Sequence, residues 1–109
     1  MKPLSLLVLV ALLAGLAGCA AGRPLTDSEF RGFCYTNIGR KVSCDTIELC
    51  NEYDTDVLSV EHASQAACAQ GCADVYNRQY VPNEFIGCGS TVLTAYNWCV
   101  KYCNTNYPK

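Results

Sequence analysis

Two stretches, Cys68-Ala69-Gln70-Gly71-Cys72 and Cys99-Val100-Lys101-Tyr102-Cys103, share one spacing and decide the fold. Residues at i and i+4 of a helix have Cβ atoms ~5–6 Å apart, whereas a disulfide needs ~3.5–4.5 Å. Neither pair closes on itself. Two antiparallel helices instead place Cys68 opposite Cys103 and Cys72 opposite Cys99, which predicts those two disulfides. The flanking pattern agrees with helices. Cys68, Cys72, Tyr76 and Tyr80 recur every fourth residue, and so form one slowly drifting stripe. Val92, Tyr96, Cys99 and Cys103, flanked by Tyr102, form the matching stripe. Ser59 is the expected N-cap of the first long helix, over residues 60–77. Pro82, Gly87 and Gly89 mark a connecting loop, and Ser90 caps a second helix over residues 91–104. Tyr76 is expected to meet Tyr96, and Tyr80 to meet Val92.

The rest of the chain must supply an even number of further staples. There are 9 cysteines in 109 residues, and an extracellular disulfide framework uses an even number. The odd one lies at the N-terminus. Met1-Lys2-Pro3 is a short positive start, followed from Leu4 to Leu16 by an almost unbroken run of Leu, Val and Ala. Those 13 residues fall short of the ~20 that span a bilayer as a helix, and match the apolar region of a secretory signal peptide. Leu16-Ala17-Gly18-Cys19 resembles the lipobox of bacterial lipoproteins, with an accepted residue at each position. The resemblance implies cleavage after Gly18, a diacylglyceryl group on the Cys19 sulfur and acylation of the new amine. An ordinary signal peptide, with Cys19 a free or bridging thiol, is the competing reading. In that family an Asp just after the lipidated Cys tends to retain the protein in the inner membrane. Ala20 therefore points to the periplasmic face of a Gram-negative outer membrane, with the inner membrane as the alternative.

Removing 18 leader residues from 109 leaves 91, with only 18 large apolar residues (Leu, Ile, Val, Phe and Trp) among them. A fold of that size buries a limited share of its surface, and four disulfides, each typically contributing ~2–4 kcal/mol, offset the thin core. Eight cysteines remain in an oxidising compartment. Beyond the hairpin pairs, Cys34, Cys44, Cys50 and Cys88 allow three pairings. Cys88 sits in the loop between the helices and must bond to the N-terminal half. The twin spacing resembles the helical hairpins of α-hairpinins and of mitochondrial intermembrane-space proteins, over residues 60–104 alone. The interval between the motifs is longer here and contains Cys88, so the likeness is read as a shared device and carries no activity across. The expected organisation is a signal peptide over 1–18, a lipidated tether over 19–25 and a mainly α, disulfide-rich domain over 26–109.

Smaller signals complete the reading. Thr26-Asp27-Ser28-Glu29 is a capping box, predicting a short helix through Phe30, Phe33 and Cys34. Asp45 and Glu48 either cap a helical turn carrying Ile47 and Cys50 or lie in a loop. Asp45, Glu48, Glu52, Asp54, Asp56 and Glu61 are six acids with no base between Lys41 and Arg78. Asp54-Thr55-Asp56 matches the opening of a calcium loop, but the EF-hand glycine is missing and Gln65 stands at the closing glutamate. The expectation there is a solvated acidic face, with cation binding or docking of a basic partner as alternatives. Arg23, Arg31, Arg40 and Lys41 put positive charge near the anchor, suited to anionic headgroups or to solubility. His62 is read as a surface histidine, Tyr76 and Tyr96 as core, and residues 104–109 as a frayed tail.

A net charge of −2 gives no footprint for nucleic acid. No Cys-x2-Cys redox motif, haem motif or nucleophile–base constellation is present, so no cofactor and no enzymatic activity is expected. Four thiolates on facing helices could hold zinc or copper(I), but the compartment favours disulfides. The expected function is a lipid-anchored, non-enzymatic binding or assembly module of the envelope, with an unidentified envelope protein as partner. The alternative is an inhibitor or immunity-type lipoprotein presenting the 81–89 loop.

Overall fold

The computed structural model describes residues 23–36 and 44–108. The expected leader over 1–18, the Leu16–Cys19 box with Cys19 as the expected lipidation site, Arg40 and Lys41 lie outside the described residues. Among the described residues four α-helices follow in order: α1 (Asp27–Thr36), α2 (Thr46–Tyr53), α3 (Gln65–Phe85) and α4 (Gly89–Asn106), and α2 runs on into a π-helical turn over Asp54–Leu58. The protein is mainly α, with no strand among the described residues. No helix among them is long and apolar enough to cross a membrane.

Local chemistry starts each helix. The Thr26 hydroxyl accepts from Glu29 N at 3.1 Å, and the Glu29 carboxylate accepts in return from Thr26 N at 3.3 Å, so the capping box forms in both directions. The backbone N–H bond, more than nearby Arg23, holds the Glu29 carboxyl below its ordinary pKa. Asp45 caps α2 by accepting from Glu48 N at 3.0 Å, which decides for a helix there and against a loop. The wider π turn then brings both Val57 and Leu58 into the core, although they are consecutive.

Three expectations about the ends of the hairpin helices need correction. The N-cap of α3 is Ser64, whose hydroxyl accepts from Ala67 N at 3.1 Å, and not Ser59, which closes the π turn through its N–H to Asp54 O at 2.9 Å. Pro82 lies inside α3, which continues to Phe85. A proline removes one helical N–H bond, but Pro82 is exposed, where water can replace the lost donor, and the Asn83 side chain donates to Gln79 O one turn back at 2.7 Å. Ser90 does not cap α4. Cys88 holds the N-cap position, and the turn before it uses Gly87 at φ 82°, a left-handed conformation that favours glycine.

α3 and α4 form the antiparallel hairpin, and α1, α2 and the π turn pack across it. Phe30, Tyr53, Val57 and Val75 are buried together with the cystines of the hairpin. Gly71 allows the close approach of α3 to the π turn, because a Cβ there would meet Val57 Cγ2 at 3.3 Å. Tyr76 and Tyr96 meet with ring centroids 4.9 Å apart and planes tilted by 47°, but both are half-buried at the core's edge.

The tail is not frayed up to Tyr107. Leu25 N donates to Thr105 Oγ1 at 3.0 Å, and Asn106 Nδ2 donates to Leu25 O at 2.8 Å. His62 is half-buried and lies before α3. Its backbone N–H donates to the Tyr107 hydroxyl at 3.1 Å, and its ring Nε2 donates to Val57 O at 2.8 Å, so this residue ties the π turn to Tyr107. Leu25, placed by its sequence in the tether, is buried and belongs to the domain.

Candidate functional site

Each pair of facing cysteines is closed. Cys68 bonds Cys103 and Cys72 bonds Cys99 across α3 and α4. Cys34 bonds Cys50, joining α1 to α2, and Cys44 bonds Cys88, fastening the start of α2 to the turn of the hairpin. The Sγ atoms of Cys72, Cys99 and Cys103 gather within 4.8 Å, a spacing that could suit a metal ion. All three are in disulfides, however, and a metal needs thiolates. The cystines are thus scaffold, and the features that can meet other molecules lie on two surfaces that they support.

The first surface is the hairpin tip. Phe85 is 86% exposed, Val81 58% and Ile86 57%, and Leu93 is also exposed, one turn into α4. Val81 and Phe85 lie one helical turn apart on the same face. The expected 81–89 loop is largely helix, leaving only Ile86, Gly87 and Cys88 between α3 and α4. Leu25 is held at the opposite end of α4. An 18-residue helix is about 27 Å long, so the tip is remote from where the chain enters the domain.

The second surface is a cleft between α2 and α3. A 240 Å³ cavity there is lined by Asp45 at the N-cap of α2, by Glu48 and Glu52 from α2 and by Arg78, Gln79 and Asn83 from α3. It adjoins a more open 400 Å³ hollow along α2 that shares the same three acids and includes Ile47, a residue 63% exposed. Arg78 is half-exposed and bridges Glu52 at 3.0 Å and Asp56 at 2.6 Å. Its hydrogen bonds to Asp56 and then Glu52 raise its pKa further. Arg31 pairs with Asp54 at 2.6 Å, and Arg23 with Glu29 at 2.9 Å. The acidic run is therefore part ion-pair network, and not wholly a solvated face. Asp54 and Asp56 belong to the π turn and are engaged by arginines. Asp45 and Glu48 meet no base among the described residues.

Gln79 is the site residue that pattern reading missed. It is 3% exposed, its Nε2 donates to Leu49 O at 3.1 Å, and its Oε1 has no partner. A buried acceptor left unpaired costs about 1–3 kcal/mol. The available signal was a polar residue on the face of α3 that also carries Cys72 and Val75, all buried. Compared with known protein families, curated proteins and solved structures, the chain finds no match.

Proposed function

We propose that the protein is a lipid-anchored envelope lipoprotein, held through Cys19 at the periplasmic face of the outer membrane, and that it binds a protein partner through the hairpin tip without catalysing a reaction. The observation that carries the binding role is the gathering of exposed Val81, Phe85, Ile86 and Leu93 at one end of a cross-linked hairpin. Scattered apolar residues need no explanation, but several large exposed ones at one end of a small domain suit an interaction surface. The lipobox and Ala20 support the anchor and its sorting. Four disulfides suit an oxidising compartment. A preorganised scaffold also loses little conformational entropy on binding.

The test is photo-crosslinking in intact cells, with a photoreactive residue placed at Phe85 or, as control, at Ser28 near the anchored end. A discrete protein adduct from position 85, absent from position 28, is expected. Adducts to lipid alone, or the same adducts from both positions, overturn the reading. A hydrolase in the adduct, inhibited by the purified protein, would make the docking that of an inhibitor.

A further inference from the structure

We propose that the cleft between α2 and α3 is a docking site for a basic segment of a protein partner, and that it takes a guanidinium side chain against Glu48, Glu52 and Gln79. The inference deepens the reading of the protein as a binding module but concerns a surface other than the hairpin tip.

Three observations converge. The cleft is lined by three carboxylates, of which Asp45 and Glu48 have no basic partner among the described residues. Glu52 is engaged by Arg78 only through Oε2, leaving Oε1 outside that pair. Buried Gln79, which lines the same cavity, has an acceptor oxygen without a donor. The Glu48 and Glu52 carboxylate oxygens and the Gln79 Oε1 all accept hydrogen bonds, so the partner they lack is a donor. Its charge is positive, because the acceptors are mostly carboxylates.

The spacing of the acceptors selects among cations. A metal ion needs convergent oxygens at ~2.3–2.6 Å from one point. The only group of metal-type side chains whose donor atoms gather within 4.8 Å among the described residues is the cystine trio, not these acids. A guanidinium offers five N–H donors in a rigid plane and meets acceptors spread around it. The surroundings extend the match to a peptide. Exposed Ile47 stands on α2 in the adjoining hollow. An exposed apolar side chain beside an acidic centre fits a segment that alternates basic and apolar residues.

The test uses the processed, full-length protein, isotopically labelled, in a neutral maltoside detergent. The probes are acetyl-Leu-Arg-Leu-Arg-Leu-amide and its citrulline counterpart, in which each guanidinium becomes an uncharged urea of the same shape. The arginine peptide is expected to shift the Gln79 side-chain amide and the Leu49 and Asn83 backbone amides. The citrulline peptide should bind about tenfold more weakly, since hydrogen bonds to charged groups are the stronger ones. Exposed Glu48 can be changed without touching the core, and Glu48→Gln should weaken the arginine peptide about threefold or more while leaving the citrulline peptide unchanged. Equal binding of the two peptides, shifts elsewhere with none in the cleft, or the same shifts from calcium chloride alone would each overturn the proposal. A failed crosslink from position 85 would leave this result standing, and the converse also holds.

Discussion

The Sγ of Cys72 lies 3.5 Å from the Sγ of Cys103, although the two belong to different disulfides. The rungs of the hairpin are therefore in contact and form one buried sulfur cluster between α3 and α4. That contact defines what happens when one rung is broken. In Cys68→Ala, Cys103 becomes a free thiol beside an intact disulfide. Its thiolate can attack the Cys72 Sγ, forming Cys72–Cys103 and releasing Cys99 as the thiolate. Mass mapping of the unreduced variant should find both Cys72–Cys99 and Cys72–Cys103 after incubation above the ordinary thiol pKa of ~8.5, and Cys72–Cys99 alone in acid. The double variant Cys68→Ala/Cys103→Ala should keep Cys72–Cys99 at either pH. A single, unshuffled bond in alkaline Cys68→Ala would show that the helices hold the sulfurs out of line for attack.

The hairpin was legible because cysteine spacing is a geometric constraint: two Cys-x3-Cys motifs on helices leave only inter-helix pairing. The caps at Thr26 and Asp45 were legible too, because each needs only a side chain and an N–H three residues on. What escaped depends on tertiary neighbours. Ser59 has the chemistry of an N-cap, and the start of the helix at Ser64 instead follows from the His62 clamp onto Val57 and Tyr107. Pro82 reads as a breaker, yet Asn83 and an exposed position let α3 pass through it. Arg78 stands more than twenty residues after Glu52 and Asp56, so its neutralising of the acidic run was invisible in a linear charge count. Gln79 declares itself only by sitting on a buried face.

Cys44–Cys88 should contribute more to stability than Cys34–Cys50. All four residues are buried, so the packing losses on removal are comparable, but the sequence separations are 44 and 16. Closing the longer loop removes more entropy from the unfolded chain, by about 0.9 kcal/mol on the chain-entropy relation. Replacing both members of a pair by Ser should cost about 2–4 kcal/mol. Urea denaturation of Cys44→Ser/Cys88→Ser and Cys34→Ser/Cys50→Ser, compared in the same buffer, checks the order. A larger loss from the shorter loop would mean that native-state contacts of the α1–α2 junction dominate.

Tyr53 is fully buried against Phe30, and its hydroxyl has no hydrogen-bond partner. Burial, and then the negative charge of Glu52, push the phenol pKa well above its ordinary value. A raised folded pKa means that the neutral form is favoured in the fold. The associated stability is complete below the unfolded pKa of about 10 and is lost as pH rises from there through the folded value. Tyr53→Phe removes both the unpaired hydroxyl and that titration. It should stabilise the protein at neutral pH by about 1 kcal/mol, seen as a rise in Tm of roughly 4–8 °C. It should also flatten the decline in stability above pH ~10. Tyr102, whose pKa burial also raises, would leave a residual slope. A destabilised Tyr53→Phe would show that the hydroxyl is satisfied in solution.

Arg78 ties α3 to α2 through Glu52 and to the π turn through Asp56. With 53% of its side chain exposed, each pair is screened by water and worth little alone, and a surface network of this kind contributes about 0.5–1 kcal/mol. Arg78→Met keeps much of the aliphatic stem and removes the charge. It also leaves Asp45, Glu48, Glu52 and Asp56 around the cleft without their one basic neighbour among the described residues. The stability loss should therefore be largest at low salt and shrink as the Debye length falls from ~30 Å at 0.01 M to ~8 Å at 0.15 M. The effect on ligand binding should have the opposite sign: with Glu52 released and the cleft more negative, the arginine peptide should bind Arg78→Met more tightly than wild type. Thermal melts at two salt concentrations and the peptide titration, run on the same variant, separate the two. A variant that loses stability and peptide affinity together would mean that Arg78 holds the cleft open rather than competing for its acids.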